Sequence, residues 1–135
     1  MQPIKSAVVV GGWGSLGHRV VEQLLKLELP VQVSVFDLNT AQNREHLVVY
    51  YDVDITIRDQ VHSALQKAQP EVIFHTASPP PSLQDLSLYL KVNVEGTRNL
   101  LQCAQVSIES QFFCFAFYEM NYLERCKLRA LLNHI

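Results

Sequence analysis

Val8-Val9-Val10-Gly11-Gly12-Trp13-Gly14-Ser15-Leu16-Gly17-His18-Arg19-Val20-Val21-Glu22-Gln23-Leu24-Leu25 opens as a β-branched run, stops at a glycine cluster, and resumes with apolar residues at Leu16, Val20, Val21, Leu24 and Leu25. β-Branched side chains favour extended backbone, and the later spacing is helical, so the stretch predicts strand, tight turn and helix. The glycines satisfy two spacings at once, G-x-G-x-x-G through Gly12, Gly14 and Gly17, and G-x-x-G-x-x-G through Gly11, Gly14 and Gly17. In either frame the first glycine makes the turn, Gly14 lets backbone N–H groups approach a pyrophosphate, and Gly17 lets the helix pack close to its strand. The positive end of the helix then faces the phosphates. Gly11, Gly12, Gly14, Ser15, Leu16 and Gly17 are therefore candidate binding residues.

The next apolar run, Val31 to Phe36, ends in Asp37, about twenty residues beyond Gly17. An acid at that place accepts hydrogen bonds from an adenosine ribose. The plainer alternative is an Asp capping the turn before Asn39 and Thr40. Against it, strand, glycines, helix, strand and acid arrive in the order that a dinucleotide-binding unit requires. Gly12 and Gly17 also have the outer spacing of a P-loop, but His18-Arg19 stands where Lys-Ser/Thr is needed, which leaves no hydroxyl for a magnesium ion.

Beyond Asp37 the chain keeps alternating. Leu47-Val48-Val49-Tyr50-Tyr51 predicts a third strand closing on Asp52-Val53-Asp54, and Ile57 to Ala68 a helix with Ile57, Val61, Ala64, Leu65 and Ala68 on one face, stopped by Pro70. Val72-Ile73-Phe74-His75-Thr76 predicts a fourth strand that ends in Ala77-Ser78-Pro79-Pro80-Pro81, because proline has no N–H to give a ladder. From Leu83 a long helical pattern runs through Leu86, Leu90, Val94, Thr97, Leu100, Leu101 and Ala104. Gln111 to Tyr118 has the length and β-propensity of a fifth strand, followed by a helical pattern through Tyr122, Leu123, Cys126, Leu128, Leu131 and Leu132. The expected fold is α/β, a Rossmann-type doubly wound parallel sheet of about five strands with helices on both faces.

Composition narrows the function classes. With 48% hydrophobic residues and a formal net charge of −2, one ordinary globular domain is expected and no nucleic-acid-binding surface. No apolar run approaches the eighteen or so residues of a membrane span. Met1 to Ser6 lacks the basic and hydrophobic regions of a secretory signal, so a cytoplasmic or membrane-surface location is expected. Cys103, Cys114 and Cys126 are odd in number and lack C-x-x-C spacing, which argues against a disulfide framework and a zinc site; they read as small buried hydrophobes, and no metal is expected.

Val10-Gly11-Gly12-Trp13-Gly14-Ser15-Leu16-Gly17, Asp54-Ile55-Thr56, Val72-Ile73-Phe74-His75-Thr76-Ala77-Ser78-Pro79 and Asn93-Val94-Glu95-Gly96-Thr97 stand in this order. Together they resemble the extended short-chain dehydrogenase/reductases, and within them the 3β-hydroxysteroid dehydrogenase and sterol-4α-carboxylate 3-dehydrogenase group. The first segment is similar to the family's T-G-x-x-G-x-x-G, with Val10 in place of threonine. The second resembles an acidic motif placed near the adenine, the third a V-F-H-x-A-S/A-P segment lining the cofactor, and the fourth an N-V-x-G-T helix motif. The resemblance implies an NAD-binding domain over residues 1–105. It adds Asp54, Ile55, Thr76, Ala77, Ser78 and Asn93 to the candidate cofactor-binding residues beside Asp37. On physical grounds Asp54, at the carboxyl end of a parallel strand, suits an adenine amino group and a helix N-cap equally. Thr76 to Ser78 end their strand at the same rim. His75 reads as a packed strand residue rather than a catalyst. The matching asparagine of family members helps position a catalytic lysine through the backbone, a role the resemblance implies for Asn93.

Beyond Cys103 the resemblance stops. Family members carry a strand ending in Tyr-Thr-Ser-Ser and a later Tyr-x-x-x-Lys. Here Phe112-Phe113-Cys114-Phe115-Ala116 fills that strand without a hydroxyl, and Tyr122 is followed four residues later by Cys126, with Lys127 one place out of register. One residue on a helix is about 100° around its axis. No catalytic residue is assigned, residues 106–135 are expected to form a divergent tail, and the fold is expected to stop short of a substrate domain.

The resemblance implies an NAD-binding oxidoreductase domain with family chemistry of hydride transfer from a sterol 3β-hydroxyl, inactive as this isolated chain, with a location extending to the endoplasmic reticulum membrane surface. The competing reading is a non-catalytic dinucleotide-binding or regulatory pseudoenzyme. A phosphoacceptor signalling domain would need acids after the first strand and a lysine after the fifth, where Gly11-Gly12 and Phe117-Tyr118 stand. NAD is expected over NADP because Asp37 would repel a 2′-phosphate and Leu38 offers no guanidinium, Arg44 being the nearest. Self-association through an exposed apolar fifth strand is also expected.

Overall fold

The computed structural model describes residues 3–42, 44–80, 82–107 and 112–115. Strand β1 (Ser6–Val10) leads into α1 (Ser15–Leu25), β2 (Gln32–Asp37) and β3 (Val48–Asp52). Helix α2 (Arg58–Ala68), β4 (Val72–His75), a short α3 (Leu86–Leu90), a π-turn (Lys91–Gly96), α4 (Thr97–Ser107) and β5 (Phe112–Phe115) come next. The strands form one sheet in the order β3-β2-β1-β4-β5, each pair parallel. The chain winds outward from β1 to β3, and α2 then carries it back over the sheet to β4. The order therefore reverses between β1 and β4, and a crevice opens at the carboxyl ends of such neighbouring strands.

Alternation along the strands builds two cores. Val8, Val10, Phe36 and Ile73 face α2 and α4, where they pack with Val61, Leu65, Leu100 and Ala104. Ala7, Val9, Val33 and Val35 face α1 and meet Val21 and Leu24. Both faces of the central strands are thus buried, which is why they read as continuous apolar runs. Cys103 is buried, its Sγ 3.8 Å from the Arg58 carbonyl. Among the described residues no helix is long and apolar enough to cross a membrane.

Several local boundaries differ from the sequence expectation, each for a physical reason. Leu47 does not start β3: its φ is +72° and its side chain is 81% exposed, so it closes the turn before the strand. Ile57 precedes α2 and lies in solvent, leaving Val61, Ala64 and Leu65 to carry the buried face. The single helix expected from Leu83 onward is broken into α3, the π-turn and α4. A π-turn adds one residue to a helical turn and so rotates the residues after it. Leu86, Leu90 and Val94 face solvent, Val92 packs against the core, and Leu100 and Ala104 keep their burial. The Tyr118, Tyr122, Cys126 and Lys127 positions lie outside the described residues.

Candidate functional site

The glycine turn between β1 and α1 sits at the reversal of strand order. Gly11 has φ +81°, a conformation L-residues rarely hold, and its N–H donates to the Phe36 carbonyl at 2.8 Å, which ties the turn to β2. A Cβ on Gly17 would overlap the Gly11 carbonyl oxygen and stand 2.7 Å from Thr76 Oγ1, so only glycine lets α1 lie this close to β1 and β4. Gly12 is buried against the Val35 side chain.

Gly14 differs from these. Its φ of −67° is open to any residue, and a Cβ there would meet no atom nearer than the Gly11 oxygen at 3.4 Å. The protein places little demand on that position, which leaves the space in front of α1 open. Gly14 is the N-cap, so α1 has no side-chain cap, and its first turn holds no acid. The free amides and the uncompensated positive end of an eleven-residue helix face outward at Ser15 and Leu16. Ser15 is exposed and Leu16 half-buried.

Asp37 ends β2 beside this turn. Its Oδ2 accepts from the Trp13 N–H at 3.0 Å and its Oδ1 from the Leu38 N–H at 2.8 Å. The two amides fix the carboxylate at the lip of the glycine turn, a link between Trp13 and Asp37 that sequence spacing does not reveal. The following loop is pinned by Asp52, whose Oδ1 accepts from both the N–H and the hydroxyl of buried Thr40 at 2.9 and 2.8 Å. Arg44 lies over the Tyr50 ring, 4.7 Å from its centroid, and the Tyr50 hydroxyl accepts from the Glu45 N–H at 2.6 Å.

Of the remaining candidates, Thr76 is at the crevice, where its hydroxyl donates to the Val10 carbonyl at 2.8 Å and helps hold the turn. Ala77 abuts Gly11 and Ser78 is exposed on the same rim. Asp54 is not the residue capping α2; Ile57 stands there. Instead Asp54 Oδ1 accepts from the Thr56 N–H and hydroxyl at 2.9 and 2.7 Å, folding the chain back at the end of β3. Ile55 is buried, its side chain against Gly96 and its carbonyl accepting from Asn99 Nδ2 at 2.9 Å, which ties the end of β3 to α4. Asn93 lies half-buried in the π-turn, with its Oδ1 buried and unpartnered among the described residues. Among the described residues no cluster of His, Cys, Asp and Glu could hold a metal ion.

His75, the last residue of β4, has no exposed surface, and its Nε2 meets Thr97 Oγ1 at 2.9 Å. Burial holds its pKa down to about 4, from an ordinary 6.5. The unfolded chain therefore takes up this proton below about pH 6.5 while the folded chain resists until about pH 4. Stability is full above the higher value and falls as pH drops through the window. Between pH 7.5 and 5 the loss from this residue is roughly 2 kcal/mol. Denaturant midpoints at those two pH values should show a smaller drop in His75→Gln than in the parent chain; equal drops would refute the assignment.

Residues 8–117 match the 3-beta hydroxysteroid dehydrogenase/isomerase family. The chain belongs to that family. The decarboxylating sterol-4-alpha-carboxylate 3-dehydrogenase of Homo sapiens is 34% identical over 106 residues, which cover 78% of this chain and 27% of the relative. The Candida albicans enzyme of that name is 31% identical over 112 residues, covering 77% of this chain and 32% of the relative. The chain thus spans about a third or less of the curated family members it matches. In three dimensions it resembles the UDP-glucose 4-epimerase of Thermus thermophilus, solved in complex with NAD, at TM-score 0.66 and 29% identity over 74% of this chain and 33% of that one. The Thermotoga maritima UDP-glucose 4-epimerase aligns at TM-score 0.72 and 23% identity over 82% and 37%, a likeness of fold. The family match runs from β1 through β5, so the glycine turn, Asp37 and the β4 rim all lie within it.

Proposed function

We propose that this chain is the NAD-binding portion of an oxidoreductase that oxidises a sterol 3β-hydroxyl, and that taken alone it supplies binding without turnover. The observation that carries the reading is the joining of three features at one strand-order reversal. These are a glycine turn that only glycine can make at Gly11 and Gly17, an uncapped helix start behind open space at Gly14, and a carboxylate fixed at Asp37. The amides of Ser15 and Leu16 would hold the pyrophosphate, and Asp37 would accept from the adenosine ribose. The Thermus thermophilus structure and the sterol dehydrogenases among the relatives support the same assignment. Bound NAD would supply the hydride acceptor.

The residues favour NAD over NADP. A 2′-phosphate would stand beside Asp37, and two unit charges about 4 Å apart repel by roughly 4 kcal/mol at an effective dielectric near 20. Arg44, the nearest cation in sequence, is occupied on the Tyr50 ring. Calorimetric titration should give at least about tenfold tighter binding of NAD than of NADP, and Asp37→Ala should weaken NAD while narrowing that gap. Tighter binding of NADP by the parent chain would reject the preference.

A further inference from the structure

Two large apolar side chains hang beside the Asp37 carboxylate. Trp13 is 47% exposed and Leu38 is 70% exposed. Each is attached to one of the two amides that grip that carboxylate, Trp13 at Oδ2 and Leu38 at Oδ1. Isolated exposed hydrophobic residues need no explanation. Trp13 is different because it is the largest side chain in the sequence, sits between two glycines, and is held at the residue assigned to the ribose. Among the described residues its indole makes no hydrogen bond and no ring contact, so the fold gains little from it. The open space in front of Gly14 lies immediately next to it in the chain.

We propose that Trp13 is an adenosine-binding residue, which stacks on or along the adenosine of the bound dinucleotide, with Leu38 as the apolar wall on the other side of Asp37. This rests on the reading of the site as a dinucleotide site and extends it to a non-glycine position within the glycine signature. The chemistry is that of a flat π-surface offered to a purine at a polar rim. Such surfaces suit indole, which is apolar over most of its area yet tolerates water at its edge. The Asp37 carboxylate orients the ribose hydroxyls, and the indole covers the nucleoside that those hydroxyls carry.

The chain has a single tryptophan, so its emission reports on Trp13 alone. ADP-ribose is the probe, because it carries the adenosine and pyrophosphate but has no nicotinamide ring to quench the emission directly. Titration of the parent chain should change the emission saturably, with the midpoint that calorimetry gives, and should reduce quenching by acrylamide. Nicotinamide mononucleotide, which lacks adenosine, should leave the emission as it was. Trp13→Ala should bind ADP-ribose about tenfold more weakly, in keeping with the loss when a base loses its aromatic partner, while Trp13→Phe keeps most of the affinity. Calorimetric binding with unchanged emission and unchanged acrylamide access would overturn the proposal, as would a folded Trp13→Ala chain of parental affinity. If Trp13→Ala fails to fold by circular dichroism, the emission and acrylamide measurements on the parent chain decide alone. Absence of calorimetric binding of both NAD and ADP-ribose to the parent chain would instead bring down the dinucleotide reading itself, and this proposal with it.

Discussion

A Gly17→Ala chain is expected to melt about 10 to 20 °C below the parent and to bind NAD at least about a hundredfold more weakly. The added Cβ would overlap the Gly11 carbonyl oxygen and come within 2.7 Å of that carbonyl's carbon and of Thr76 Oγ1. Backbone atoms cannot rotate out of the way as a side-chain tip can, so α1 must move off the strand end. Overpacking of this kind costs about 1 to 3 kcal/mol and at times more, and here the partners are the least yielding. Because Gly11 already holds φ +81° and bonds to Phe36, the displaced helix would carry the whole turn away from β2. Gly14→Ala separates fold from binding. Its Cβ meets only the Gly11 oxygen, at 3.4 Å, so melting should change by no more than a few degrees while NAD affinity falls. Thermal melts and calorimetry on the two variants make the comparison, and a Gly17→Ala chain that melts and binds as the parent does would refute the close approach.

The glycine turn was legible in the sequence because its requirements are local. A positive φ at Gly11 and a helix start at Ser15 leave a fixed spacing in the chain. The parallel α/β order was legible for a similar reason, since strands buried on both faces become apolar runs such as Val8 to Val10 and Val33 to Phe36. The parts that were not legible depend on atoms distant in sequence. Asp52 reads as a strand-end acid, yet it anchors Thr40 twelve residues away. Asp54 and Ile55 look alike as members of one motif, but one folds the chain at the rim and the other is buried against Gly96, forty-one residues on. The π-turn leaves no mark in hydrophobic periodicity except that Leu86, Leu90 and Val94 look like core and are not. Trp13 interrupts the glycine signature as an arbitrary residue, and only the bond from its amide to Asp37 gives it a place in the site.

Purified alone with NAD and a 3β-hydroxysterol, this 135-residue chain is expected to form no steroid-dependent NADH above background. Oxidation of a secondary alcohol needs a base to take the hydroxyl proton as the hydride departs, and positioned proton transfer contributes roughly 10² to 10⁴-fold. His75 is the basic side chain nearest the rim in β4, but it is fully buried and its pKa is held down to about 4. It can neither reach an alcohol nor compete well for its proton at neutral pH. Thr76 donates its hydroxyl to the Val10 carbonyl, so the next residue along the rim supplies structure rather than a base. Tyr118 and Tyr122 lie outside the described residues, and neither is followed at the fourth place by a lysine that would lower its pKa from an ordinary value near 10. The alcohol must also be held within about 3 to 3.5 Å of its reaction partner, a contribution that reaches about 7 to 11 kcal/mol in well-oriented systems. This chain spans about a third or less of the sterol dehydrogenases it matches. Binding of NAD would carry neither requirement, because the glycine turn, the start of α1 and Asp37, the elements proposed to hold its adenosine and pyrophosphate, lie within residues 11–37. The two properties therefore separate experimentally, with calorimetric binding present and turnover absent. NADH fluorescence that rises with sterol in the parent chain and vanishes in Gly14→Asp would overturn the prediction and point to a proton acceptor in residues 106–135.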